Sequence, residues 1–173
     1  MPKRIDNLEG SLLSAAKSLL LEEGYAALTM RQAASLCGVA VGTVYNYFPS
    51  KDVLVARILL EDWHTALRTL RDKLETVASP LEGLKCAFEA LRTFSRQYGA
   101  VWAEYSGNPP LRRWHSALIC QISDCLTPML TRFSLSEEPM LGHFLAQALL
   151  SWAMEPEASF EALSPFFQRL LKT

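Results

Sequence analysis

Residues 37–51 read CGVAVGTVYNYFPSK. Glycines, β-branched residues and three aromatics crowd into a segment whose flanks have helical spacing. Upstream, Leu8, Leu12, Ala15, Ala16 and Leu19 share one helix face, and Gly24 is a stop. Thr29-Met-Arg-Gln32 has the form of a capping box, in which Thr29 covers free amides and Gln32 reaches back. It opens a short helix through Ala33, Ala34 and Leu36 that Cys37-Gly38 closes. A second short helix is expected from about Ala40 to Tyr47. Two short helices joined by a tight glycine turn make a helix-turn-helix, whose second helix can enter the major groove.

The residue types of that second helix suit contact with a duplex. Thr43, Tyr45 and Tyr47 offer hydroxyls to phosphates or base edges, Asn46 can pair with adenine, and Val41 fits a thymine methyl. Gly42 allows close backbone approach. Val44 and Phe48, four apart, are expected to turn inward as anchors. Lys51, beside the amides of the next helix start, is expected to help bind a phosphate.

Beyond Ser50, a good N-cap, Val55, Leu59, Trp63, Ala66, Leu70, Leu74 and Val77 step by threes and fours, as one long amphipathic helix requires. Pro80 opens the next, with Leu84, Phe88, Leu91, Phe94 and Tyr98 inward. Gly99 is expected to end it before a short piece around Val101, Trp102 and Tyr105. Another helix runs from about Leu111 towards Phe133, and Pro128 is expected to kink or end it. Ser136-Glu-Glu-Pro139 is a helix entry, followed by helices over Met140 to Met154 and Glu157 to Leu171. The expected fold is all-α with about nine helices: an N-terminal unit over 1–50 and a helical domain over 51–173.

Half of the 173 residues are hydrophobic and the net charge is −1, so the chain can bury a core and is no polybasic binder. No apolar run reaches the ~20 residues of a membrane span, and no secretory signal is visible, which implies a cytoplasmic location. Cys37, Cys86, Cys120 and Cys125 lack CxxC spacing and are expected as packed thiols. His64, His115 and His143 sit on separate helices, so no metal site is expected. No catalytic triad, paired-carboxylate or phosphate-cradle pattern stands out, so neither an enzyme nor a cofactor is expected.

GVAVGTVYNYFPSKDVL, with the lead-in EEGYAALTMRQAASLCGV, resembles the TetR family of bacterial one-component regulators. The likeness covers about residues 8–60. It implies that Thr29, Thr43, Tyr47 and Lys51 hold phosphates, that Arg31 reaches a base, and that Val41, Gly42, Tyr45 and Asn46 face bases or adjoining backbone. Ala40 stands where the family commonly has serine. Within residues 1–52, the five cations Lys3, Arg4, Lys17, Arg31 and Lys51 meet five carboxylates, Asp6, Glu9, Glu22, Glu23 and Asp52. Binding is therefore expected to rest on placement, with Glu22 and Glu23 turned away from DNA.

For the remainder, Trp63, Phe88, Arg92, Trp102, Tyr105, Trp114 and His115 are candidates to line an apolar effector pocket with polar anchors, near Met129 and Phe133. The last two helices carry more apolar surface than one helical layer covers. Phe144, Ala148, Trp152, Phe160, Leu163, Phe167 and Leu170 are therefore candidates for a two-fold interface, as the resemblance also implies. The expected function is a homodimeric repressor released from a palindromic DNA operator by a small apolar or aromatic effector. The alternative is an all-α small-molecule binder that does not use DNA. Effector, operator and the sign of regulation are not legible.

Overall fold

The computed structural model describes residues 7–105, 110–135 and 140–171; the side chains of residues 102, 103, 105 and 110–115 lie outside that description. Among the described residues eight helices follow one another: α1 (Leu8–Ala27), α2 (Met30–Leu36), α3 (Val41–Tyr47), α4 (Lys51–Thr76), α5 (Pro80–Tyr105), α6 (Pro110–Arg132), α7 (Leu141–Met154) and α8 (Phe160–Leu170). No strand occurs among the described residues. By compactness the chain forms two units that divide within α4: one reaches Trp63 and takes in Ala100–Glu104, the other begins at His64.

In the first unit, α1 starts where the Asn7 side chain accepts from the Gly10 amide at 3.2 Å. The helical backbone breaks at Gly24 (φ 86, ψ 172), the expected stop. Leu12, Leu13, Ala16 and Leu20 form the buried face of α1, and Met30, Ala33 and Ala34 that of α2. Long α4 buries Leu54, Val55, Ile58, Leu59 and Trp63 here. Lys17 on α1 pairs with Asp62 on α4 at 2.7 Å.

In the second unit, the α4 stripe continues inward through Leu70, Leu74 and Val77. Phe88 of α5 meets Phe160 of α8 with ring centroids 5.9 Å apart, and Phe160 stacks on Phe167 at 6.0 Å. α6 packs on α7 where Gly142 lies: a Cβ there would stand 3.1 Å from Ser123 Oγ and 3.3 Å from Thr127 Oγ1, so only glycine permits that approach without displacement.

Gly99 does not interrupt α5, which makes eight helices rather than nine among the described residues, and Pro128 does not end α6. Gly99 costs an exposed helix roughly 1 kcal/mol against alanine, but Tyr98 and Val101 on either side of it are buried and α5 runs on to Tyr105. Pro128 removes one helical hydrogen bond, yet Leu126, Met129 and Leu130 around it are buried and α6 continues to Arg132. Burial of those side chains outweighs the ~3 kcal/mol that an interior proline costs. The expected helix entry at 136–139 lies outside the described residues. No described helix is long and apolar enough to cross a membrane.

Candidate nucleic-acid interface

The turn between α2 and α3 is closed by its own backbone. The Gly38 amide donates to Ser35 O at 3.1 Å and the Val39 amide to Ala34 O at 3.0 Å. Both bonds require Gly38 to be left-handed, and its φ is 66°. The Thr29 hydroxyl accepts from the Gln32 amide at 3.2 Å, so α2 is capped as expected. The reciprocal half differs: Gln32 Oε1 accepts the Thr29 hydroxyl at 2.7 Å, while its Nε2 donates to Glu23 at 3.4 Å. Glu23 is thereby drawn to the first turn of α2.

On α3 the two faces separate cleanly. Val44 is wholly buried and Phe48 nearly so, which anchors the helix. Val41, Gly42, Tyr45, Asn46 and Tyr47 are exposed, with Tyr45 half open to solvent at 50% and Tyr47 at 44%. Thr43 is half-buried. Two large tyrosines left in water on a seven-residue helix represent apolar surface that monomer packing does not use. Ala40 has the extended backbone of an N-cap (φ −68, ψ 143) and no capping side chain.

The cations are largely engaged. Lys51 Nζ donates to the Tyr25 carbonyl at 2.8 Å and lies 4.1 Å from the centre of the Tyr25 ring. The Tyr25 hydroxyl in turn donates to Asp52 Oδ1. Arg31 is exposed on the first turn of α2. Ser50 caps α4, accepting from the Val53 amide at 3.2 Å. Lys3 and Arg4 lie outside the described residues.

Residues 12–58 match the model of a family described as bacterial regulatory proteins, tetR family. Over this segment the chain is similar to the TetR family. Among curated relatives, the regulator UidR of Escherichia coli K12 is 32% identical over 66 residues, covering 38% of this chain and 34% of UidR. The repressor KstR2 of Mycobacterium tuberculosis H37Rv is 34% identical over 89 residues, covering 50% of this chain and 44% of KstR2. The chain thus spans between a third and a half of the length of these curated relatives. The fold likeness is wider: the transcriptional regulator FadR of Bacillus subtilis, solved in complex with stearoyl-CoA, superposes at TM-score 0.60 with 18% identity, covering 94% of this chain and 97% of FadR. At that identity the likeness concerns the fold.

The other sequence-derived candidates scatter. Trp63 and Phe88 are buried in different units. The Arg92 guanidinium donates to the carbonyls of Glu155 at 3.1 Å and Pro156 at 2.6 Å, which ties α5 to the end of α7. The side chains of Trp102, Tyr105, Trp114 and His115 lie outside the described residues. A cleft in the second unit is lined instead by Leu74, Cys125, Pro128 and Met129, with Arg71 and Arg132 among its polar residues. Spacing along α4 and α6 holds that grouping, but only once the pairing of the two helices is known.

Of the expected interface residues, Phe144, Trp152 and Leu170 are exposed and Ala148 is half-buried. Phe160, Leu163 and Phe167 are instead buried within the protomer, because the stacked phenylalanines fill the α5–α8 contact. Phe166, one residue off, is 52% exposed and takes the outward place. All four cysteines are free thiols, and burial pushes the Cys37, Cys86 and Cys125 thiols up. Among the described residues no group of His, Cys, Asp or Glu could hold a metal.

Proposed function

We propose that this protein is a transcriptional regulator that binds duplex DNA through α2 and α3. The observation that carries this is the division of α3: Val44 and Phe48 are buried, while Val41, Tyr45, Asn46 and Tyr47 are exposed. Asn46 and Tyr45 supply hydrogen-bonding groups for base edges, and Thr29, Thr43, Tyr47 and Lys51 supply phosphate contacts. Arg31 reaches for a base from the start of α2.

The active species is a homodimer sealed by Phe144, Trp152, Phe166 and Leu170, whose exposed hydrocarbon supports a dry two-fold contact. Two copies of α3 then address the halves of a palindromic operator about one turn, ~34–36 Å, apart. An apolar effector bound in the second domain favours a conformer with the wrong spacing and releases the operator, so the protein is a repressor. Stearoyl-CoA, the ligand of the FadR neighbour, is the first compound to try. No protein carboxylate or thiol is needed for chemistry, and the reading is of a binding protein rather than an enzyme.

The test is a mobility shift on the DNA upstream of the protein's own gene, with and without stearoyl-CoA. A folded dimer that binds that duplex no better than a scrambled one overturns the reading. Lys17 is paired, and residues 1–52 carry only five cations. The salt dependence should therefore stay well short of about ten neutralised phosphates per dimer.

A further inference from the structure

Three contacts of Tyr25 converge on the first turn of α4. Its carbonyl accepts from Lys51 Nζ at 2.8 Å, its ring lies 4.1 Å from the same ammonium, and its hydroxyl donates to Asp52 Oδ1. Lys51 and Asp52 are the first two residues of α4. There the helix dipole favours a carboxylate and opposes a cation. Left to α4 alone, Asp52 would dominate this corner and repel an approaching phosphate.

Tyr25 works against that. An ammonium has three N–H donors; the carbonyl takes one and the ring attracts the charge without taking another. Donors remain for a phosphate oxygen, on a lysine whose rotamer freedom is already reduced before DNA arrives. The hydroxyl, at the far end of the same rigid ring, holds the neighbouring carboxylate. One side chain thus handles both charges.

We propose that Tyr25 is a positioning residue for the DNA backbone: it aims the Lys51 ammonium at a phosphate and restrains the Asp52 carboxylate beside it. The inference rests on the DNA-binding reading above. Its ligand is the phosphodiester itself, so its effect is the same on every sequence.

Fluorescence anisotropy on the upstream duplex and on a scrambled duplex tests it, with Tyr25→Phe, Asp52→Asn and the double variant. Tyr25→Phe keeps ring and carbonyl but frees Asp52, and should weaken both duplexes by about three- to tenfold, the scale of one ordinary hydrogen bond. Asp52→Asn should bind both at least as tightly as the wild type. The double variant should return to the level of Asp52→Asn, because no carboxylate is left to restrain. A merely structural tyrosine would show no such rescue. The proposal is overturned if Tyr25→Phe binds like the wild type, if Asp52→Asn binds more weakly, or if the double variant stays as weak as Tyr25→Phe. Failure of the folded wild type to bind either duplex overturns the DNA reading itself, and this proposal with it.

Discussion

α3 and α8 leave aromatic surface in water in opposite ways. α3 exposes Tyr45 and Tyr47 together with Asn46, whereas α8 exposes Phe166 and Leu170. The first set is amphipathic: each ring ends in a hydroxyl that a wet, charged partner can satisfy. The second is hydrocarbon, which gains only from a dry partner. Both helices are held by buried residues next in sequence, Val44 and Phe48 for α3, Leu163 and Phe167 for α8. The difference teaches that exposed apolar area alone does not name a partner; the polar atoms it carries do.

The largest expected effect separates anchor from outward face on α8. Phe167→Ala should cost about 3–5 kcal/mol of folding stability, as a wholly buried phenylalanine does. Phe166→Ala should leave the protomer's stability nearly unchanged but loosen the dimer. Denaturant unfolding at a protein concentration low enough to give monomer, set beside sedimentation velocity, checks both. Equal losses of stability from the two changes would erase the distinction drawn here.

On α3 the next effect is one of specificity. Asn46→Ala should shift operator preference at one position by about 1–3 kcal/mol, while Tyr47→Phe should weaken all sequences alike. Selection of bound duplexes followed by competition binding measures both. An unaltered preference in Asn46→Ala would take Asn46 out of base reading.

Gly42 gives a smaller effect, with opposite signs on fold and on binding. A Cβ there meets nothing within 4 Å, so Gly42→Ala should stabilise α3 by up to ~1 kcal/mol while pushing DNA away. If Gly42→Ala bound DNA as well as the wild type, close backbone approach at this residue would not be needed.

How much of this the residues disclosed depends on range. The Thr29 and Ser50 caps, the Gly24 stop, the Gly38 turn and the inward Val44 and Phe48 are all decided within a few positions, and the chain folds there as its pattern dictates. Gly99 does not break α5 and Pro128 does not end α6, because their local cost is outweighed by burial of neighbouring side chains. Phe166 and Phe167 could not be told apart by composition; the stacking of Phe160 on Phe167 sets the rotation of α8. Tyr25 meets Lys51 and Asp52 across 26 and 27 positions, a distance at which spacing carries no signal. The one local hint was a lysine at a helix N-terminus, where a cation is disfavoured.

The smallest effect concerns Ala40, where the chain departs from the family's serine. Its backbone already has the extended geometry of an N-cap, and the Thr43 amide reaches only its carbonyl, at 2.9 Å. A hydroxyl at this position could accept from the amide of Gly42 or Thr43 with no rearrangement of the backbone. Ala40→Ser should therefore raise stability by about 0.5–1 kcal/mol, a shift of roughly 1–4 °C for a chain of this size. The same cap would hold the first turn of α3 in place and so tighten binding to every duplex without altering preference, which distinguishes it from Asn46→Ala. Thermal unfolding read beside anisotropy decides the matter. An unchanged melting temperature with tighter binding would mean that the serine hydroxyl acts on phosphate directly, and that α3 is held firmly enough by Val44 and Phe48 alone.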